Sequence, residues 1–388
     1  MAAQGDTRAD GHGRWQQEWV ERMQRWAGNS ARIVVVAAHD EQLVQKLLPV
    51  DGQRVVAIAS GVDTDVFAPR ARTAAQRCAL WNRFLVDEPR GWRAAEPEGS
   101  IRYRVEDLSA FTDSEGHAVP VVLFAGRFMK FKRLQLLIEA HHAMRATTSC
   151  RSVLIVAVQR LGAEGVFFIG WRDHADLSEI LNCSDVFAAP SVDEPFGLVY
   201  LEAMASGIPP IGTSTGGPLT FINVDHVSPT GWLVPPDDVD ATTRALVEAI
   251  SNPAERTERG RRAARFVREQ YSWASTAQSF ARLYDEVTRL RIVRAHLREV
   301  TPALKAGKTD KARTSFNSFN DNWDSIEDLV RERSREAYVA IESGMISIEQ
   351  AFMPAQPNTD TVIGLVADVM GRYNAIVAEV TKEARSAK

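Results

Sequence analysis

The sequence predicts an α/β chain: a parallel sheet with flanking helices, followed by an all-α helical bundle. Three observations carry this. Strand-like apolar runs at 119–125, 152–157, 165–170 and 186–190 are interleaved with helical patterns after the first and third of them, an order that builds a parallel sheet. The stretch 194–207, EPFGLVYLEAMASG, lies between the 186–190 run and another short strand at 208–211, so a loop and a short helix join two strands. From about residue 291 strand-like runs cease, and segments rich in Glu, Arg, Ala and Asn take over with helical spacing.

Bulk properties narrow the function classes. Apolar residues make up 45% and charged residues 25% of the 388-residue chain, ordinary for a globular protein with ample core. A formal charge of −4 gives no electrostatic reason for a nucleic-acid partner. The three cysteines, Cys78, Cys150 and Cys183, are odd in number and far apart, matching neither a disulfide framework nor a zinc spacing. A reducing cytoplasm is the simplest setting for them. The first residues are polar and lack the apolar core of a signal peptide, and no apolar run approaches the ~20 residues of a membrane span.

The chemistry concentrates around the helix in 194–207. Glu194 lies in the loop before it and Glu202 lies inside it, with Gly207 placed where a helix C-terminus needs left-handed backbone. Helical side chains tilt toward the N-terminus, so Glu202 leans toward the end where free N–H groups and partial positive charge favour a phosphate. A phosphate with a carboxylate on either side to accept hydroxyl hydrogen bonds describes a sugar-nucleotide site.

These residues resemble the signature of the retaining group 1 (family four) glycosyltransferases, which have the two-domain GT-B fold. The family pattern of Glu, Phe–Gly and a second Glu eight positions after the first is matched by Glu194, Phe196, Gly197 and Glu202. A second motif, GRFMKFKR, lies about 65 residues upstream, where Gly126 opens the loop and Arg127 and Lys132 match the pair that holds the donor diphosphate. The resemblance implies that Glu194 binds the donor sugar, that amides around Phe196, Gly197 and Leu198 face the sugar and diphosphate, and that Glu202 binds the ribose. Trp171 and Arg172, just after a strand end, are candidates for walling the base. No metal or other cofactor is implied, since the positive charges stand in for one.

The same resemblance assigns domains. Residues 1–68 read as a remnant of the N-terminal acceptor domain, 69–290 as the Rossmann-like donor domain with an insertion at 71–118, and 291–388 as the helical bundle. Residues 1–13 are expected to be disordered. Trp15, Trp19, Met23 and Trp26 then form one stripe of a helix, read as a packing face, followed by strands at 33–37 and 54–58 around a helix at 41–48. Residues 60–70 resemble the family's hinge, with Ser60 in place of its usual Asn. Most of an acceptor domain is expected to be missing.

The insertion is polar and irregular, with Trp81, Phe84 and Trp92 as anchors. His141 reads as a packed or surface histidine. Only about eight residues separate the strands at 152–157 and 165–170, fewer than a parallel crossover usually takes. Either these strands pair differently or the donor site has lost a wall. Asp176 with Glu179 reads as a capping box. The turn at 214–218, STGGP, is either part of the sugar pocket or an ordinary turn.

Helices are expected at 292–300, 309–343 (with a break) and 361–384. The SREAYVAIESGMISIEQA stretch resembles helical domains linked to bacterial iron uptake, but no histidine cluster or paired carboxylates call for a metal, so packing or a protein partner is its expected role.

The chain therefore reads as a glycosyltransferase moving a sugar from a nucleotide diphosphate to a hydroxyl acceptor. The rival is a donor-binding or scaffold protein without turnover, and a third reading is an incomplete coding sequence.

Overall fold

The computed structural model describes residues 12–383 apart from 31, 49, 51–53, 94, 128, 149–150 and 158–164. The expected disorder of 1–13 falls largely outside these. The chain divides into two compact units, one of residues 59–277 and one of 1–58 with 278–388.

The N-terminal part of the second unit runs α1 (His12–Asn29), β1 (Ile33–Val35), α2 (Ala38–Leu47) and β2 (Val55–Ala57), and the two strands pair in parallel. Glu41 on α2 accepts from the Ala57 N–H at 2.9 Å, and Arg54 donates to the Ala27 carbonyl at the end of α1 at 2.7 Å. The tryptophan stripe is not a buried face here. Trp19 and Trp26 are more than half exposed, and the side chain of Trp15 lies outside the described set.

The first unit begins at Ala59, ten residues before the expected boundary, because the hinge-like segment packs within it. Val62 donates to the Tyr271 carbonyl at 2.8 Å and Phe67 is buried. The insertion that follows is folded rather than irregular. It holds α3 (Ala74–Asn82), opened by a Thr73–Gln76 capping box, a π-helical turn (Arg83–Asp87) and a 3-10 turn (Val105–Phe111). Trp81 and Phe84 are fully buried, whereas Trp92 is only half-buried.

Next come β3 (Val121–Ala125), α4 (Leu134–Thr147), β4 (Val153–Ala157), β5 (Val166–Phe168), α5 (His174–Asn182), β6 (Val186–Ala188), α6 (Leu198–Ala205), β7 (Pro210–Thr213), β8 (Trp232–Val234), α7 (Val239–Ser251) and α8 (Pro253–Gln270). The strands form one sheet ordered β5-β4-β3-β6-β7-β8, every pair parallel. Described residues of β3, β5, β6 and β7 are all buried, as strands covered on both faces must be.

The short connection before β5 does not prevent parallel pairing with β4. Eight residues reach about 26 Å when extended at ~3.3 Å each, enough to return along a five-residue strand about 17 Å long. The insertion covers the β5 edge. Tyr103 and Phe111 pack on Phe167 at ring distances of 5.1 and 4.9 Å, and the Tyr103 hydroxyl accepts from the outward Phe168 N–H at 2.8 Å. An edge strand treated this way presents fewer open hydrogen bonds.

Asp185, just before β6, fastens the sheet to its surroundings. It accepts from the Val121 N–H at 2.8 Å and from Arg77 of α3 at 2.5 Å, with Arg256 of α8 at 3.7 Å. The N-cap of α5 is Asp173, whose carboxylate accepts from the Asp176 N–H at 2.9 Å, so the expected Asp176–Glu179 box is displaced by one turn.

A long helix, α9 (Trp273–Lys305), is followed by α10 (Thr309–Trp323), α11 (Glu327–Arg333), α12 (Arg335–Phe352) and α13 (Thr359–Glu383). Residues 278–383 thus hold more helix than expected, and α9 continues through Pro302 in its last turns. Leu290, Val293, Leu297, Val300 and Leu304 line one face of α9 and join a core with Phe319, Trp323, Ile348 and Tyr373. The polar tips in that core are satisfied: Trp323 donates to Glu342 at 2.5 Å and Tyr373 to the Leu290 carbonyl at 3.0 Å.

His141 is a core residue of α4, its Nε2 3.1 Å from the Ser152 hydroxyl. Burial, with Arg145 and His142 nearby, pushes its imidazole down to about 3. The unfolded chain holds it near ~6.5. Its neutral form therefore favours the fold fully above ~6.5, and this contribution fades by up to ~1.4 kcal/mol per pH unit as pH falls toward 3. His141→Gln, which keeps a partner for Ser152, should lose less melting temperature between pH 6.5 and 4.5 than the parent chain. An equal loss on thermal scanning contradicts this.

Candidate donor site

Strand order reverses between β3 and β6: the chain moves outward to β4 and β5 from one, and to β7 and β8 from the other. In open parallel sheets the crevice beyond the strand ends at such a switch point takes ligands. The loops leaving β3 and β6 carry the two motifs singled out in the sequence.

The β3 loop runs from Gly126 through a 3-10 turn (Lys130–Lys132) to Arg133. Gly126 lies beside the Lys132 stem, which a Cβ there would meet at 3.8 Å. Lys132 is buried, its Nζ 5.3 Å from the Phe131 ring centre, and it donates to Glu194 of the β6 loop. The two side chains are only 11% and 9% exposed. The structure therefore brings together two residues that the sequence reading assigned to separate parts of the donor, diphosphate and sugar.

The loop backbones are tied as well. The Val192 N–H donates to the Phe131 carbonyl at 2.7 Å, and the Gly217 N–H donates to the Glu194 carbonyl at 2.7 Å. The STGGP turn thus braces the Glu194 loop from behind. Only glycine fits there: Gly216 has φ +68°, and a Cβ on Gly217 would lie 2.0 Å from the Phe196 carbonyl.

Arg127 is exposed, and its side chain has no hydrogen-bond or ion-pair partner among the described residues. Gly197, with φ +93°, opens α6, and Phe196 is buried edge-on to Phe221. Among the described residues the N–H groups of Phe196, Gly197 and Leu198 have no acceptor, as expected of the first residues of a helix. Leu198 is exposed at the helix start.

Glu202 lies one turn inside α6. Its side chain is 12% exposed, and burial raises its carboxyl above the ordinary range, partly offset by His174 at 3.7 Å.

The base-wall expectation divides. Trp171 is 65% exposed. Arg172 turns inward and is withdrawn as a ligand residue. It stacks on Phe84 at 4.2 Å and donates to the carbonyls of Ile169, Phe84 and Glu88 at 3.1, 3.1 and 2.8 Å. Burial and the nearby Arg90 pull its guanidinium down to about 10. It fastens the insertion to the β5 end.

Two features lay beyond sequence reasoning. Arg133 and Asp237 both occupy the left-handed region, φ 50° and 58°, and form a two-pronged ion pair, with Nη2 to Oδ2 at 3.1 Å. That pair joins the β3 loop to the turn after β8, across 104 residues of sequence. The position of His174 beside Glu202 had no local signal either, because α5 and α6 meet only in the fold.

Residues 111–266 match the family model of glycosyl transferases group 1. Over these residues the chain is similar to the group 1 glycosyltransferases. The D-inositol 3-phosphate glycosyltransferase of Corynebacterium aurimucosum is 29% identical over 197 residues, covering 46% of this chain and 46% of its own. The alpha-maltose-1-phosphate synthase of Mycobacterium tuberculosis is 27% identical over 292 residues, 69% of this chain and 66% of its own. The chain thus spans about half the length of the first of these curated relatives and about two thirds of the second. Anabaena HepE, solved with UDP and glucose, superposes with a TM-score of 0.52 at 16% identity over 70% of this chain and 67% of that one. This last likeness is one of fold. Among the described residues no helix is long and apolar enough to cross a membrane.

The two cations of the β3 loop should respond differently to substitution. Lys132→Met leaves the Glu194 carboxylate buried without its counter-charge, and stability should fall by about 3 kcal/mol. Arg127→Met should change stability by no more than ~0.5 kcal/mol. Urea denaturation of both variants checks this, and an undiminished midpoint for Lys132→Met would contradict it.

Proposed function

We propose that the site at the β3/β6 switch point binds a nucleotide-diphosphate sugar and that the chain is a retaining glycosyltransferase acting on a hydroxyl acceptor. The observation that carries this is the buried Lys132–Glu194 pair at the mouth of the switch point, on the same two loops as Arg127, which has no partner among the described residues, and the α6 N-terminus. Each group has a task in such a reaction. Glu194 accepts from hydroxyls of the sugar. Lys132 and Arg127 meet the diphosphate and offset the charge that grows on it as the sugar departs. The N–H groups of Phe196, Gly197 and Leu198 add positive potential without needing a metal ion, and Glu202 accepts from the ribose.

A second reading keeps the donor site and drops turnover. It is motivated by the described part of residues 1–58, which offers two three-residue strands. Transfer needs an acceptor aligned with the donor in a water-poor cleft, and these strands provide little to build one. We propose that the chain alone transfers slowly, and that an acceptor-side domain supplied in cis or in trans raises the rate. A protein partner bound through residues 291–388 and action in the cytoplasm belong to the same proposal.

Titration calorimetry tests the donor site. The chain should bind a nucleoside diphosphate more tightly than its monophosphate, by about 1.5–3 kcal/mol for each charged hydrogen bond gained. Arg127→Ala should remove much of that preference without unfolding the protein, and an unchanged preference would exclude Arg127 from the site. Turnover is checked by diphosphate release from UDP-, GDP- and ADP-sugars in the presence of hydroxyl acceptors. Rapid acceptor-dependent release by the chain alone would contradict the proposed slowness and support the enzyme.

A further inference from the structure

Glu202 sits in an unusual position for a helix carboxylate. Its side chain is 12% exposed, and among the described residues no donor reaches it within hydrogen-bond distance. A desolvated carboxylate in that state calls for a donor. Among the described residues the one charged or titratable group facing it is His174 of α5, whose Nε2 stands 3.7 Å from Oε1. That gap is too long for a good hydrogen bond.

His174 is itself held in place although its side chain is 80% exposed. It is the first residue of α5, directly after the Asp173 cap. Its ring stands edge-on to the buried Phe67, 6.0 Å between centroids and 79° between planes. The Phe67 segment is fixed in turn, since the Val66 carbonyl accepts from Ser178 of α5 at 2.7 Å and Phe67 donates to the Asp63 carbonyl at 2.9 Å. Two elements thus hold an acceptor-only group and an imidazole opposite each other, 3.7 Å apart.

A hydroxyl suits this pair better than an amine, an ether or a bare carbon. It donates to Oε1 while its oxygen accepts from an imidazole N–H, so both sides are satisfied by one atom. Resting on the donor reading above, we propose that His174 is a specificity-determining residue of the ribose subsite: with Glu202 it brackets one ribose hydroxyl and makes the site select ribonucleotides over deoxyribonucleotides. Sites built to hydrogen-bond a hydroxyl reject analogues lacking it, because the buried polar groups are then left unpaired.

The test uses the full chain and titration calorimetry. Whichever of UDP, GDP and ADP binds best is compared with its 2′-deoxy and 3′-deoxy forms, on the parent protein, His174→Ala and His174→Gln. The parent should prefer the ribonucleotide by about tenfold or more over at least one deoxy form. His174→Ala should shrink that preference about fivefold, chiefly by weakening ribonucleotide binding and not deoxynucleotide binding. His174→Gln, which retains an N–H donor, should restore part of it. Melting temperatures should match throughout, because the side chain is exposed. A ribo-to-deoxy ratio unchanged in His174→Ala overturns the inference and leaves the donor site standing. Failure of all three diphosphates to bind the parent overturns the donor reading, and this inference with it.

Discussion

The ion pair between Lys132 and Glu194 is the constraint on which the loops at the strand ends of the sheet unit depend. The two residues come from loops on either side of the strand-order reversal, and both are about nine-tenths buried. Removing two charges from water is costly, and such a pair is poor evidence of stability sought for its own sake. The proposed binding of both a diphosphate and a sugar accounts for the arrangement better. It needs a cation and an acceptor pre-positioned side by side, and each holds the other until a ligand arrives.

The surrounding backbone serves that geometry. Hydrogen bonds from Val192 to Phe131 and from Gly217 to Glu194 lock three successive loops together. The Arg133–Asp237 pair holds two left-handed residues at a fourth. Non-glycine residues there carry strain of order 1 kcal/mol each. Farther out, Asp185 joins β3, α3 and α8, and Arg172 pins the insertion to the end of β5. The loops thus rest on a six-stranded sheet whose β5 edge is covered, the kind of support that precise placement of a site requires.

Much of this was legible in the sequence because the signals were local. Continuous apolar runs marked β3, β4 and β6, since strands buried on both faces leave no polar alternation. The Phe196–Gly197 step marked the start of α6, and the spacing of Glu194, Glu202, Arg127 and Lys132 pointed to a candidate site, within which the structure pairs Lys132 with Glu194. What escaped was long-range. Arg172 looked like a ligand residue until Phe84, 88 positions away, supplied its partners. Asp176 resembled a cap because its spacing to Glu179 matches a box, yet the helix begins one turn earlier at Asp173. The insertion read as irregular because its apolar anchors are sparse, but they pack on Phe167. The tryptophans of α1 marked a packing face by periodicity alone, which says nothing about whether a partner surface is present.

The most direct measurement of the central claim is a structure of the full chain with a nucleoside diphosphate bound. The account predicts the diphosphate at the C-terminal ends of β3 and β6, within hydrogen-bond reach of Lys132 and Arg127, with the ribose between Glu202 and His174. A nucleotide bound elsewhere, with the Lys132–Glu194 pair buried and untouched, would contradict it.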